Sequence, residues 1–496
     1  MNQLIPLIVI VPLIAALFLN LFAGKNKTIK VLAFIVGLGL PILTLTTSYG
    51  LHYFGGHQPL ALSNIANLSS YITNSSLYDL HPAITYSYTP LAKVFIFALG
   101  IVVFLSIFSY LNSENKASGP FLFMVFMATA SVSALLLSDD LFNMYVFFEI
   151  AALIQTGIII ASSAKDNYET ALKYMILSSI GGPILLLGIT ILLAICGSVN
   201  ITDISLAISN LAHTPESGGV VLFAFSLIFF GWLYASGLPP FNVIKSLVYS
   251  KAEPYGSSIL QAMSLISLIA FIIAMFRIFG SLDIFKGAMI FISIVSMVLG
   301  VSMASMQTDF RRMIAYLSVG ELGFVGLGFG IGGNFAITAG LFQGLNEMIV
   351  TTLLFIGLGT VVYLTNTSDT RKLGGLIGKN TSMAIMILLG GLAMAGVPPF
   401  NGFRSKLMIV EAALNTGFPE IAVIIILISI ATFFVFVKAF HSIFLKPQPR
   451  DLTFIRDSIP KSIVFTVLLL LVICLILGLY PEIVTNPISQ SIGGLL

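Results

Sequence analysis

Long apolar runs separated by short polar intervals cover most of the chain. About twenty consecutive apolar residues cross a bilayer as a helix, and on that measure the pattern predicts about fourteen spans. They fall near residues 4–22, 31–49, 91–111, 121–137, 141–161, 171–196, 220–237, 257–279, 288–306, 313–329, 336–364, 382–414, 421–441 and 463–480. Two runs carry the same interruption. "SGLPPFNVIKS", starting at Ser236, closes the seventh run, and "AGVPPFNGFRSK", starting at Ala395, lies inside the twelfth.

Composition agrees with this pattern. The 496 residues are 57% hydrophobic and only 9% charged, against about 25% charged in soluble domains. So few charges cannot cover a globule, and most of the surface must face lipid. Lys and Arg then orient the spans, because cytoplasmic intervals carry the excess. Lys25, Lys27 and Lys30 follow the first run, Lys116 the third, Lys165 the fifth, Arg311 and Arg312 the ninth. Arg371, Lys372 and Lys379 follow the eleventh, and Lys446, Arg450, Arg456 and Lys461 the thirteenth. The alternate intervals 50–90 and 197–219 contain no Lys or Arg, and only Arg277 and Lys286 depart from the alternation. Both termini are expected outside. The first run has no basic residues before it and no small-residue cleavage site, so it reads as a retained helix. Cys196 and Cys474 support neither a disulfide framework nor a metal site, and the net charge of +3 gives no basic tract for nucleic acid.

The two interruptions align at an offset of 159 residues. Gly237 matches Gly396, Pro239 and Pro240 match Pro398 and Pro399, Phe241 matches Phe400, Asn242 matches Asn401, Lys245 matches Arg404 and Ser246 matches Ser405. The second lies five spans after the first, an odd number, so the two units are expected to cross the membrane in opposite senses. Proline removes a backbone donor and frees a carbonyl. In lipid such a break is tolerated only where protein or a wet cavity surrounds it, and paired breaks in inverted repeats mark ion sites near the midplane. The fold class is therefore an all-α polytopic membrane protein with two inverted five-helix repeats. Its expected parts are N-terminal helices 1–120, a first repeat 121–280, a second repeat 281–441, and a loop with a last helix 442–496.

Ionisable residues inside spans are expensive, and each is a candidate for function. Glu149 lies mid-span in "MYVFFEI". Lys406 follows the second break. Glu169 and Lys173 share a helix face four residues apart. Glu321, Glu347, Glu411 and Lys438 fall in or near later spans. A carboxylate and an ammonium that approach one another out of water can relay protons; a structural ion pair is the competing reading for each. The histidines have no metal-ligand spacing, and no phosphate loop, nucleophile constellation or redox-cofactor motif occurs, so neither a metal nor a cofactor is expected.

"MYVFFEI", "ETALKYMILSSIGGPILLLGI", "LPPFN", "MQTDFRRMIAYLSVGELGFVGLG" and "AGVPPFNGFRSK" together resemble the antiporter-like subunits shared by complex I (NADH:quinone oxidoreductase), Mrp-type sodium/proton antiporters and membrane-bound group-4 hydrogenase or sulfur-reductase complexes. The resemblance covers nearly the whole chain. It implies fourteen helices with two inverted five-helix units, and translocation of protons, or exchange of sodium for protons, within a multi-subunit redox-driven pump in a prokaryotic plasma membrane. It implies as partners other antiporter-like and small membrane subunits and a peripheral redox module, which would hold any redox chemistry. The family's membrane glutamate matches Glu149, its lysine at the second broken helix matches Lys406, and its pair near the start of the sixth span matches Glu169 and Lys173. Other stations depart from it. The lysine before the first break falls on Ala235, that of the next helix near Ile266 or Ser267, and a later histidine and lysine on Glu347 and Thr351, while another histidine falls on Glu321. Lys245, well past Ala235, is not expected to replace the missing base. A structural spacer with a disabled channel is the alternative function.

Overall fold

The computed structural model describes residues 4–21, 26–54, 84–113, 117–161, 167–211, 218–450, 452, 454–456 and 458–494. Lys25, Lys116, Lys165 and most of the interval 50–90, which has no Lys or Arg, lie outside these residues. The helices in chain order are α1 (Leu7–Leu21) and α2 (Asn26–Thr46), then after the antiparallel pair of strands β1 (Gly50–Phe54) and β2 (Ile84–Tyr88), α3 (Pro90–Ser113), α4 (Gly119–Leu137), α5 (Leu141–Ala161) and α6 (Asn167–Cys196). They continue as α7 (Ile201–Leu211), α8 (Gly218–Ser236), α9 (Asn242–Lys251), α10 (Pro254–Phe279), α11 (Asp283–Ser305), α12 (Phe310–Ile331) and α13 (Gly333–Thr365). The last are α14 (Thr381–Ala395), α15 (Asn401–Asn415), α16 (Pro419–Phe440), α17 (Lys461–Leu479) and α18 (Glu482–Gly493). Among the described residues, eleven helices are long and apolar enough to cross a membrane. Three shorter apolar helices, α1, α8 and α14, accompany them.

Burial sorts the helices into centre and rim. The apolar windows of α10, α12 and α13 are 94%, 100% and 89% buried, whereas those of α2 and α16 are 33% buried. Rim helices turn large apolar side chains outward, such as Ile426, Leu427, Ile430 and Phe434 on α16, a surface suited to lipid or to a neighbouring membrane subunit. Between α11 and α12 the backbones touch: a Cβ on Gly300 would lie 2.5 Å from the Gly320 nitrogen. Small residues that let helices approach this closely are the usual basis of packing in membranes.

The two interruptions are breaks of the same shape. α8 stops at Ser236 and α9 starts at Asn242; α14 stops at Ala395 and α15 starts at Asn401. At each, the glycine has positive φ, +63° at Gly237 and +80° at Gly396, and the Pro-Pro bond is cis. The hydrogen bonds correspond one to one. Gly237 N donates to Tyr234 O at 3.2 Å and Gly396 N to Ala393 O at 3.2 Å. Leu238 N donates to Leu233 O at 3.2 Å and Val397 N to Leu392 O at 3.0 Å, while Phe241 N donates to Leu238 O at 2.9 Å and Phe400 N to Val397 O at 3.2 Å.

A second correspondence is invisible in the residue pattern. Asp140 forms an antiparallel bridge with Asn200, and Asp309 with Asp369, at an offset of 169. Leu141 N donates to Val199 O (3.0 Å) and Ile201 N to Asp139 O (3.2 Å); Phe310 N donates to Ser368 O (3.1 Å) and Thr370 N to Thr308 O (2.8 Å). Each bridge ties the start of one helix, α5 or α12, to the segment following the next long helices. Their aspartates also cap: Asp140 Oδ1 accepts from Asn143 N at 2.7 Å, and Asp309 Oδ1 from Arg311 N at 2.8 Å, satisfying first-turn donors. At the second bridge, side-chain hydrogen bonds from Arg371 hold the Asp369 carboxyl below the usual carboxylate range.

Arg277, which departs from the charge alternation, is neutralised locally. Its guanidinium pairs with Asp139 and donates to Thr202 Oγ1 at 2.8 Å, while Ser205 Oγ donates to its carbonyl. It clamps the short helix α7 onto the end of α10.

Candidate functional site

Among the described residues five charged side chains are buried: Asp140, Lys245, Glu321, Glu347 and Lys406. Asp140 belongs to the first bridge. The other four lie on α9, α12, α13 and α15, the centre of the molecule and the second halves of the two broken helices.

Around the second break the network is dense. Lys406 Nζ donates to Glu321 Oε1 at 2.9 Å and to Met394 O at 2.8 Å, one of the carbonyls that the break leaves without a helical partner. It also stands over the Phe324 ring, 4.9 Å from its centre. Gln343 Nε2 donates to Glu321 Oε2 at 2.7 Å, and Ser405 Oγ donates to Gln343 Oε1 at 2.5 Å. Asn346 Nδ2 donates to Ser405 Oγ (3.0 Å) and to Asn401 O (3.2 Å), and Asn401 Nδ2 returns a bond to Asn346 Oδ1 (2.9 Å). The motif residues Asn401 and Ser405 thus anchor α15 to α13 and set the height of Lys406.

Glu347 lies one turn beyond Gln343 on α13 and acts electrostatically on Glu321 and Lys406, with Ser318 of α12 beside it. Gln261 Nε2 of α10 donates to Ser318 Oγ. One turn further along α10, Ser264 accepts from Lys245 Nζ. The polar groups therefore run from Lys245 through Ser264 and Gln261 to Ser318, Glu347, Glu321 and Lys406, with the Ser264–Gln261 step bridged by helical spacing on α10 and no direct bond.

Lys245 is the residue that sequence reasoning underrated. It is 4% exposed, and its stem lies against the break glycine: a Cβ on Gly237 would strike its Cδ, Cγ and Cε. Lys406 rests on the other break glycine in the same way, with Gly396 Cβ falling 3.0 Å from its Cδ. The two lysines occupy corresponding places although the sequence offset pairs Lys245 with Arg404, which is exposed. A shift of two residues on a helix is undone by where the long side chain reaches, and only the spatial arrangement exposes that.

On the first side, the Glu149 carboxylate presses on Gly182 of α6, where a Cβ would strike its Oε1; the adjacent Gly181 receives the Tyr234 ring. Glu149 Oε1 is buried without a hydrogen-bond partner among the described residues. A cavity of about 20 Å³, room for about one water, is lined by Phe148 and Ala152 of the same helix together with Tyr174, Ser178, Tyr234, Gly237, Phe241 and Lys245. Tyr174 is oriented by donation to Gln155 Oε1 at 2.7 Å.

The remaining expected residues lie elsewhere. Glu169 and Lys173 form an i,i+4 ion pair at 2.5 Å on an exposed face of α6, their side chains 74% and 59% exposed, away from the central chain. Glu411 and Lys438 are exposed. Thr351 turns its hydroxyl back to the Glu347 carbonyl of its own helix, so it adds no link. Pro239, Pro240, Pro398 and Pro399 form the breaks described above.

Residues 138–434 match the profile of the NADH:quinone oxidoreductase/Mrp antiporter transmembrane family. An uncharacterized protein of Methanocaldococcus jannaschii is 36% identical over 491 residues, covering 98% of this chain and 97% of its own. A Na(+)/H(+) antiporter subunit of Alkalihalophilus pseudofirmus is 25% identical over 451 residues, 89% of this chain and 86% of its own. A chain of the membrane-bound sulfane sulfur reductase, an archaeal respiratory membrane complex, superposes with a TM-score of 0.84 at 22% identity, covering 100% of this chain and 98% of that one. The chain is a multi-pass membrane protein that belongs to the NADH:quinone oxidoreductase/Mrp antiporter transmembrane family.

Proposed function

We propose that this chain is the proton-translocating membrane subunit of a multi-subunit redox-driven pump, with the path running from Glu149 by way of Lys245 to Glu321, Glu347 and Lys406. The observation that carries the reading is the set of four charged residues buried at the centre and joined by Ser264, Gln261 and Ser318. Maintaining charges out of water costs several kcal/mol each unless they are paired, and a merely structural spacer has no use for an unpaired buried lysine. The breaks sit at the two lysines, consistent with about fourteen spans that include two five-helix repeats crossing in opposite senses. The basic intervals favour both termini outside, and the prokaryotic relatives favour a plasma membrane of a prokaryote. Glu169 and Lys173, at the start of α6, are placed to exchange protons with the cytoplasmic surface. Other antiporter-like and small membrane subunits and a peripheral redox module would be the partners. Sodium as the exchanged ion and a non-conducting spacer are the rival readings; Ala235 at the usual lysine station favours the spacer.

The test is ion pumping by the intact complex in sealed vesicles, comparing the wild type with Glu149→Gln, Lys245→Met and Lys406→Ala, with assembly checked in parallel. Pumping per electron falls in all three assembled variants if the path is real. Unchanged pumping in all three makes the chain a spacer.

A further inference from the structure

Two carboxylates are buried together in the second half of the path, and one ammonium faces them. Glu321 is fully engaged, taking Lys406 Nζ on Oε1 and Gln343 Nε2 on Oε2. Glu347 is not. It is 2% exposed, its Oε1 has no hydrogen-bond partner among the described residues, and Ser318 is the neutral group beside it. The hydroxyl of Thr351, one turn on, is turned to the backbone. Of the helices packed on α13, α12 contributes Glu321, α15 contributes Lys406 and α10 the amide of Gln261. None of α3, α14, α17 and α18 carries a buried charge among the described residues. With both carboxylates ionised, Glu321, Glu347 and Lys406 would hold one negative charge away from water. Lys245, the other buried cation, bonds Ser264 on α10 and reaches neither carboxylate, so the charge has no direct partner, which proteins avoid by neutralising the group or pairing it. A bare metal cation would need a shell of free oxygens. Here Glu321 Oε2 and Gln343 Oε1 are already taken by Gln343 and Ser405, which leaves Glu347 and Ser318 alone.

We propose that Glu347 and Glu321 hold one exchangeable proton between them, so that the second half of the path carries its proton as a carboxylic acid beside the Lys406 ammonium. Its presence does not depend on the translocation reading; its role in transport rests on that reading. In the transfer step the O–H bond on Glu347 breaks, an O–H bond forms on Glu321, and the electron pair stays on Glu347 as carboxylate. The three side chains sum to zero charge before and after. With Glu321 in the acid form, Lys406 loses its direct counter-charge, releases a proton onward and is reprotonated from Glu321, while Glu347 takes up the next proton, so that the three side chains again sum to zero charge.

The experiment is infrared spectroscopy of the intact complex in vesicles, recorded in H2O and D2O at neutral pH, reading the C=O stretch of protonated carboxyls. A band that shifts on deuteration is expected in the wild type and is lost in Glu347→Gln. In Ser318→Ala the band persists at a changed frequency, because one neighbouring donor is gone and the acid remains; this variant serves even where Glu347→Gln fails to assemble. A band unaltered in both variants overturns the proposal. So does a band present in choline chloride and erased by sodium chloride at equal ionic strength, which would assign the charge-balancing ion as a metal. A complex that shows the band yet pumps unchanged in Glu149→Gln and Lys406→Ala keeps the proton site and loses the path. Pumping sensitive to those variants with no such band keeps the path and loses the site.

Discussion

The Lys406–Glu321 pair allows a quantitative forecast. The ions are 2.9 Å apart with side chains 6% and 2% exposed. At an effective dielectric of about 20 their attraction is about 6 kcal/mol, most of it offset by taking both out of water. Removing one partner leaves the other uncompensated, which costs about 3–5 kcal/mol. Lys406→Met falls toward the upper end, because Met394 O at the break also loses its donor and Glu321 keeps only the neutral amide of Gln343. Glu321→Gln falls toward the lower end, since Lys406 retains Met394 O and the Phe324 ring. The double variant removes both charges at once and should cost less than the sum of the singles by about 2–3 kcal/mol, within the range of coupling energies for residues in contact. Cys474, fully buried on α17, supplies the assay: in a Cys196→Ser background its reaction with a thiol-specific dye reports opening of the purified chain over a denaturant series. Additive losses in the double variant would refute the reasoning, because they would mean that the two charges do not depend on each other.

Four further outcomes follow from the geometry. Gly182→Ala drives a Cβ into the Glu149 carboxylate, the flexible end of a side chain, so it should reduce pumping several-fold while costing about 1 kcal/mol of stability; Gly231→Ala meets the Leu185 nitrogen at 2.8 Å and the Gly181 oxygen at 2.9 Å, rigid backbone, and should prevent assembly, as immunoblots of the membrane fraction would reveal. Arg277→Gln removes a charged clamp of about 1.5–3 kcal/mol and should speed proteolysis around α7 without altering the spectrum of the central carboxyls. The Asp369 carboxyl is held low by Arg371, so its contribution is present above the ordinary carboxylate range and lost as pH falls through its depressed value; stability-versus-pH curves of wild type and Arg371→Gln should differ at neutral pH and converge in acid, and parallel curves would count against this.

Apolar run length was enough to locate eleven helices long enough to cross, while the runs 4–22, 220–237 and 382–414 fall on shorter apolar helices; a membrane leaves only helices as a way to satisfy the backbone, and the run 141–161 and the helix Leu141–Ala161 coincide. The breaks were equally legible, because Pro-Pro and a glycine at positive φ have few other uses inside a span. Short helices were missed. α7 and α18 are amphipathic and average out in a window tuned to twenty residues, and the paired strands β1 and β2 have no apolar run. Lys245 was underrated because an alignment assigns a side chain to its own Cα, whereas this one acts eight residues away at Gly237. Glu321 and Glu347 were visible as buried charges, but their sharing of a single lysine is a fact of packing between α12, α13 and α15.

The duplicated bridges at Asp140–Asn200 and Asp309–Asp369, like the paired breaks, are built from main-chain hydrogen bonds. Such bonds are blind to side-chain identity. A scaffold held this way can have a lysine exchanged for alanine or a histidine for glutamate at one station without the helices losing register. The offset of 169 at the bridges and 159 at the breaks means that ten more residues lie between Asn200 and Gly237 than between Asp369 and Gly396, in the stretch that contains α7. Register is kept by the main chain, so rewriting the wiring one residue at a time acts on stability and not on architecture.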